Sequence, residues 1–167
     1  APDQVMRYVV QSTTIDWNAP EAVLTQLTGL EKLNVSPIEV AGAVGSYQLT
    51  EILTEPVTLT LRTQDAFGNT LEQTLTINVM NPECRPSSAP ASLHFGPDVG
   101  HQVVGTVPAD TTVVVDAQDA SGQWLRVSGL SGGLNGWGKR TDFTCNDNFN
   151  VEDLRKGLNV PPVPPTI

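Results

Sequence analysis

The feature that most constrains the fold is the stretch of residues 91–137, ASLHFGPDVGHQVVGTVPADTTVVVDAQDASGQWLRVSGLSGGLNGW. Its short apolar runs are Val103-Val104, Val113 to Val115 and Trp124 to Val127, and Gly-Pro, Pro-Ala-Asp and Ala-Ser-Gly turns separate them. Turns at intervals of about 8 to 12 residues are typical of a compact unit built only of strands. We therefore predict a small β-barrel over residues 91–145.

The composition favours an all-β class for the whole chain. The 167 residues are 39% hydrophobic and 16% charged, which is enough for one medium core or two small ones. The chain has 13 prolines, 14 glycines and one short segment that could be helical. This argues against a helical bundle or a doubly wound sheet, and the turn spacing favours two domains.

Residues 1–80 are predicted to form a β-sandwich. Alternating apolar residues at 57–61 and 71–79, with a turn at 65–69 between them, predict a hairpin. Further candidate strands lie at 6–10, 22–27, 30–35 and 47–52, and candidate turns lie at 16–20 and 41–45. Six or seven short strands in about 80 residues favour a sandwich.

Two proline-rich stretches complete the domain prediction. Residues 81–90, NPECRPSSAP, have the composition of a semi-rigid linker. In the tail, residues 146–167, Asn150 as an N-cap and Gly157 as a terminator predict a helix of one or two turns. The PPVPP stretch at 161–165 is expected to be extended.

The cysteines Cys84 and Cys145 bracket the predicted barrel. The first and last strands of small barrels lie side by side, so the two cysteines should come within the ~6 Å Cα separation of a disulfide. Closing a loop of about 60 residues would stabilise the domain by roughly 4 kcal/mol. A disulfide predicts an oxidising, extracytoplasmic location, whereas two unrelated buried thiols in a cytosolic protein are the alternative.

The net charge of −9 and the lack of a basic patch argue against nucleic acid and anionic membrane surfaces as partners. No run approaches the roughly 18 apolar residues of a membrane span. We therefore expect a protein without a membrane span in this chain and without a nucleic-acid partner.

Residues 91–137 also resemble the bacterial Src-homology-3 domain. The matching positions are Leu93, Gly96 and Pro97, then Val104 to Ala109, then Trp124, Val127, Gly136 and Trp137. They correspond to an LNVRSGP-like start, a VIGTVPAGT-like middle and a W-x-x-V then G-W finish. His94 and Phe95 stand where that family usually has Arg and Ser, and Gly138 stands where Val is usual. The resemblance implies a Src-homology-3-like barrel that serves as a binding module.

Residues 1–80 are similar to bacterial immunoglobulin-like modules of secreted and surface proteins. The similarity rests on AVLTQL, GLEKLNV, VGSYQLT and VTLTLRTQDAFGNTLEQTLTINV, in that order. It implies a spacer or adhesive unit. The predicted fold class is therefore all-β, with an immunoglobulin-like sandwich followed by a small Src-homology-3-like barrel.

The candidate ligand-binding residues are His94, Phe95, Asp98, Trp124 and Trp137. In barrels of this kind, a shallow groove between the first long loop and the loop before Trp124 would hold a peptide or glycan-peptide. Trp124 and Trp137 are expected to belong mainly to the core, with an edge available to ligand. Phe95 is expected to be exposed, and exposed loop aromatics often mark contact sites.

Neither a catalytic nor a metal site is predicted. Residues 129–133 match the G-x-S-x-G pattern around Ser131, but that nucleophile elbow needs a strand-to-helix turn, and here it joins two strands of a hairpin. His94, Asp98 and His101 match no established zinc spacing, and we expect exposed loop histidines. No cofactor is predicted.

The sequence thus predicts a non-catalytic, extracytoplasmic bacterial protein whose barrel binds cell-wall peptide or glycan, or another surface protein. The alternative is a structural spacer or docking segment of a larger surface protein, which the proline-rich stretches favour. A hydrolase is a third hypothesis, and it depends on Ser131 and the two histidines.

Overall fold

The computed structural model describes residues 4–158, which hold strands, turns and single 3₁₀ turns and no α-helix. This confirms the all-β class. The chain divides into two units: residues 4–5 and 10–80 form the first, and residues 6–9 and 81–158 form the second. The proline-rich stretch 161–165 lies outside the described residues.

The first unit is sandwich-like. Its strands are β1 (Gln4–Met6), β2 (Thr13–Asn18), β3 (Ala22–Thr28), β4 (Ile38–Ala41), β5 (Val44–Leu49), β6 (Val57–Asp65) and β7 (Thr70–Met80). One sheet has the order β1-β7-β6-β3-β4, and β2 pairs with β5 in a second sheet. Apolar residues at alternate positions of the strands supply the core, among them Ile15, Trp17, Leu27, Leu59 and Ile77.

The long β6–β7 hairpin is present as predicted. Val57 lies opposite Ile77, and the pairing continues to Gln64 opposite Thr70. In the connecting turn the Asp65 carboxylate accepts hydrogen bonds from the N–H groups of Phe67 and Asn69, at 2.9 and 2.8 Å. This Asx-type turn fixes the register of the two strands.

Three local predictions for residues 1–80 are wrong. The candidate strand at 6–10 is not formed, because β1 ends at Met6 and residues 7–8 form a turn. The segment 30–35 is not a strand, because the Leu30 carbonyl accepts from the N–H groups of Leu33 and Val35 and closes a 3₁₀ turn. Residues 16–18, predicted as part of a turn, continue β2 instead. Burial of Trp17 in alternation with its exposed neighbours extends the strand as far as Asn18.

The second unit contains one sheet of seven strands. They are β8 (Glu83–Pro86), β9 (Ala91–His94), β10 (Val103–Val107), β11 (Val113–Gln118), β12 (Trp124–Ser128), β13 (Gly136–Lys139) and β14 (Phe143–Cys145). Their order in the sheet is β10-β9-β13-β12-β11-β8-β14. The core includes Leu93, Val107, Val115, Leu125 and Val127, which are fully buried.

A closed barrel is not found in residues 4–158. Strands β10 and β14 lie at opposite ends of the sheet order and are not hydrogen-bonded to each other. Pro108, which lacks an N–H, directly follows β10, and β14 has only three residues. The hydrogen-bonded ladder therefore ends at both edges, although irregular register in β10 and β11 bends the sheet.

The predicted domain boundaries need two corrections. Residues 83–86 of the predicted linker form β8, which pairs with both β11 and β14. Residues 6–9 of the predicted first domain belong to the second unit, where Val9 forms a β-bridge with Leu154. Composition alone suggested a linker because Pro and Ser flank the strand.

The predicted disulfide between Cys84 and Cys145 is present. The two residues lie directly opposite each other on β8 and β14, with 3.9 Å between their Cα atoms. The first and last strands of the second unit are thus neighbours, as expected, even though the sheet is open.

A C-terminal strap, residues 150–156, runs against β11. The predicted helix is here a single 3₁₀ turn, Val151–Asp153, whose N-cap Asn150 accepts from the Glu152 N–H. Beyond it the chain is extended, because the Arg155 N–H donates to the Tyr8 carbonyl at 2.7 Å. The buried Gln118 amide donates to the carbonyls of Glu152 and Leu154 at 2.7 and 2.9 Å and holds the strap in place.

Candidate functional site

A groove of about 700 Å³ opens on the second unit where three connections between strands meet. These are the β9–β10 loop, the β11–β12 turn and the residues between β13 and β14. The lining residues are Asp98, Val99, Gly122, Gln123, Trp124, Lys139, Arg140 and Thr141. The groove lies between the first long loop and the turn before Trp124, where the sequence predicted it.

The β9–β10 loop supplies one wall of the groove. Its shape is set by Asp98, whose carboxylate accepts from the Gly100 N–H at 2.7 Å and whose carbonyl accepts from the His101 N–H at 3.2 Å. Val99 is 64% exposed and Phe95 is 60% exposed. The loop therefore presents a carboxylate and apolar surface to solvent.

The two histidines stabilise this loop from its base. His94 Nδ1 lies 3.0 Å from the His101 carbonyl, so its Nδ1–H tautomer donates to that oxygen. The expectation of an exposed loop histidine is wrong for His101, which is 4% exposed. Gly96 has no side chain, and the His101 imidazole occupies the space that a Cβ there would need.

Trp124 supplies aromatic surface to the groove and is held in place by His94 and Asp119. Trp124 is 7% exposed, and the His94 ring packs edge-on against its indole with 5.3 Å between the ring centroids. The Trp124 N–H donates to the Asp119 carboxylate at 2.9 Å, and the Asp119 N–H donates to the Trp124 carbonyl at 3.0 Å. These bonds fix the start of β12 beside the turn.

The Asp119 carboxylate is the anchor of that turn. Burial by itself would raise its pKa, but hydrogen bonds from the Ser121 hydroxyl and from backbone N–H groups, including that of Trp124, outweigh the effect. The pKa of Asp119 therefore lies below its ordinary value, and the carboxylate is ionised at neutral pH.

Two cations, Lys139 and Arg140, also line the groove. Arg140 donates to the Glu152 carboxylate at 2.6 Å, and its backbone N–H donates to the Gln123 carbonyl at 2.8 Å. The hydrogen bond and charge of Arg140 lower the pKa of Glu152. Lys139 is exposed, and no ion pair to it is formed within residues 4–158. The groove lining thus contains a carboxylate, that of Asp98, and an ammonium group without an ion pair among the described residues, that of Lys139.

The structure brings the predicted site residues together to different degrees. Asp98 and Trp124 line the groove. His94 contacts Trp124 from behind, and Phe95 packs against His101, with 6.3 Å between the ring centroids. Trp137 is 4% exposed, lies opposite His94 in the sheet and is not part of the groove lining.

Sequence reasoning missed Val99, Lys139 and Arg140. A signal was available for the cations: Lys139 and Arg140 form one of two adjacent basic pairs in a chain with only nine Lys and Arg residues. They follow the G-W landmark, Gly136-Trp137, after one intervening glycine. Their convergence with Asp98 depends on the order of the strands, which the sequence pattern does not give.

The remaining chemical motifs are placed as follows. The G-x-S-x-G segment lies between the antiparallel strands β12 and β13, with a 3₁₀ turn at Ser131–Gly133, and no helix follows it. No cluster of three or more metal-ligating side chains occurs among the described residues. Residues 4–158 also contain no helix with the length and apolar character needed to cross a bilayer.

No family model matches this chain. Searches of curated proteins and of solved structures likewise returned no match.

Proposed function

We propose that this protein is an extracytoplasmic, non-catalytic binding protein whose second unit holds a peptide or glycan-peptide of the bacterial cell wall in the groove beside Trp124. The observation that carries the proposal is the groove itself, whose lining combines the aromatic Trp124 with the Asp98 carboxylate and the Lys139 ammonium group. The fold attributed to this unit is a Src-homology-3-like one, as its sequence resemblance implies.

The chemistry of the groove suits a ligand with charges of both signs. The Asp98 carboxylate can accept a hydrogen bond from a ligand amine, and the Lys139 ammonium can bind a ligand carboxylate. Cell-wall stem peptides carry both groups on a short chain. The exposed apolar surface of Val99 and the edge of Trp124 would contact the aliphatic parts of such a peptide.

The position of Lys139 argues for a carboxylate on the ligand. Arg140 is occupied by Glu152 of the C-terminal strap, whereas Lys139 has no ion-pair partner within the described residues. In a chain with a net charge of −9, an exposed cation beside the aromatic Trp124 is a distinctive site for an anionic group. The strap thus neutralises one of the two cations and leaves the other for a ligand.

The disulfide supports the proposed location. Cys84 and Cys145 are joined across β8 and β14, and disulfides persist mainly in oxidising compartments. A chain that works outside the cytoplasm is able to meet cell-wall material directly.

The test is sedimentation with purified, protein-free cell-wall sacculi. Wild-type protein should co-sediment, and Lys139→Ala and Asp98→Ala should each weaken retention roughly five-fold, the value of one charge-assisted hydrogen bond in a partly solvated groove. Raising the salt concentration should weaken wild-type binding more than binding of Lys139→Ala.

Arg85→Ala and Asp110→Ala provide matched controls, because both residues are exposed and neither lines the groove. Each control should sediment like the wild type. If the wild type is not retained on sacculi, cell-wall binding is refuted and the spacer hypothesis is preferred. If the controls lose as much retention as the groove variants, the groove is not the site.

A further inference from the structure

Arg140 lines the groove and already binds a carboxylate, that of Glu152 in the C-terminal strap. Arg140 Nη1 lies 2.6 Å from Glu152 Oε1. The other carboxylate oxygen of Glu152 lies 3.8 Å from the point that a Cβ on Gly122 would occupy, and Gly122 is also part of the groove lining. The Glu152 carboxylate is therefore at the edge of the groove, bound to one of its two cations.

The strap is held in place by contacts other than this ion pair. The Glu152 carbonyl accepts from the buried Gln118 amide at 2.7 Å, and Asn150 Oδ1 accepts from the Glu152 N–H at 3.1 Å. Leu154, two residues further on, is 1% exposed. Because the backbone on both sides of Glu152 is fixed, its side chain can leave Arg140 while the strap keeps its place.

The contact between Arg140 and Glu152 is open to solvent. The two side chains are 36% and 56% exposed, and ion pairs that water screens contribute little net stability. Arg140 and, more weakly, Lys156 both lower the pKa of Glu152, so a displaced Glu152 carboxylate stays near a second cation of the strap. A carboxylate of a ligand can therefore replace Glu152 on Arg140.

We propose that Arg140 is a second carboxylate site of the groove, that Glu152 occupies it as an internal competitor in the free protein, and that the preferred ligand is a peptide ending in an acidic residue. Lys139 and Arg140 are consecutive in the chain and both line the groove. A C-terminal acidic residue carries two carboxylates, one for each cation, and leaves the amino group of the peptide for Asp98. This inference rests on the proposed function, because it assigns the ligand class of the same groove.

The probes are the tripeptides Ala-Ala-Glu and Ala-Ala-Gln, which have nearly the same shape and differ by one carboxylate. Their dissociation constants are measured by ¹H–¹⁵N chemical-shift titration, with the amide signals of Gly122 and Thr141 as reporters of the groove. Wild-type protein should prefer Ala-Ala-Glu. Glu152→Gln should enlarge that preference about three-fold, the effect expected of a solvent-exposed ion pair, and Arg140→Gln should abolish it.

Asp153→Asn is the matched control, because it removes one negative charge from the next, exposed residue of the strap. It should leave the preference at its wild-type value. If Glu152→Gln changes the preference no more than Asp153→Asn does, or if Arg140→Gln retains it, the inference is overturned while the groove remains a peptide site. If neither peptide moves the groove signals in any of these proteins, the inference is also overturned, and sedimentation with sacculi decides the proposed function by itself.

Discussion

The first unit has no disulfide and buries its core between a sheet of five strands and a sheet of two, whereas the second ties its first and last strands together through Cys84 and Cys145. The second unit also uses the C-terminal strap, through Gln118, to cover part of its core. The first depends on apolar packing around residues such as Ile77, and its Trp17 indole N–H has no hydrogen-bond acceptor among residues 4–158. Covalent closure and apolar burial are therefore two separate sources of stability in one chain.

The buried ion pairs of the second unit do not explain its stability. Burial raises the pKa of Asp116, although Arg126 and Arg155 lie 3.3 and 3.5 Å away and act to lower it. Because the pKa of Asp116 is raised, desolvation of its carboxylate outweighs the attraction of the two arginines. We therefore expect the disulfide to account for the main difference in stability between the two units.

Replacing both cysteines, as Cys84→Ala with Cys145→Ala, should have the largest effect. Removing a cross-link that spans 61 residues should lower the free energy of unfolding of the second unit by about 4 kcal/mol, because the unfolded chain regains loop entropy. Residue-by-residue hydrogen exchange should show loss of protection at Leu125 and Val127 and little change at Leu59. Equal loss of protection in both units would show that the disulfide does not stabilise the second unit in particular.

In the first unit, Ile77→Ala should lower the free energy of unfolding by about 3 kcal/mol. Ile77 is fully buried in the core, and the truncation loses transfer free energy and leaves a cavity. Ile77→Val, which removes a single methylene group, should cost about 1 kcal/mol. Denaturant unfolding monitored by exchange at Leu59 measures both. If Ile77→Ala loses less free energy of unfolding than the value expected for Ile77→Val, apolar packing is not the main source of stability in this unit.

The smallest effect is expected at the turn beside the groove. Asp119→Asn should cost about 1 kcal/mol at pH 7, a value kept low by solvent screening of this partly exposed group. Folding lowers the pKa of Asp119. The carboxylate therefore makes its full contribution to the free energy of unfolding above the unfolded pKa of about 3.9, and this contribution is lost as the pH falls through the folded pKa.

The difference in unfolding free energy between wild type and Asp119→Asn should therefore shrink as the pH is lowered below about 4. Unfolding titrations at several pH values measure this. Asp110→Asn is the matched control, because Asp110 is exposed and lies outside the turn. A wild-type advantage that is unchanged at low pH would contradict the assigned role of the ionised carboxylate.

The candidate site shows which site residues can be predicted from the sequence and which cannot. The resemblance to a known module implied a groove between the first long loop and the loop before Trp124, and Asp98 and Trp124 line the groove that is present. Lys139, the last residue of β13, and Arg140, which follows it, were missed because only the pairing of β13 with β12 brings Lys139 opposite Trp124. His101 was misjudged because its burial depends on the missing side chain of Gly96.

The sequence by itself determined the all-β class, the β6–β7 hairpin and the pairing of the two cysteines, because alternation, turn residues and bracketing positions are local or nearly local signals. Tertiary structure decided that the second sheet stays open, that residues 6–9 join the second unit and that β8 replaces a linker. Those outcomes depend on which distant strands share hydrogen bonds and core contacts. The energies of such long-range pairings are not encoded in any short stretch of the chain.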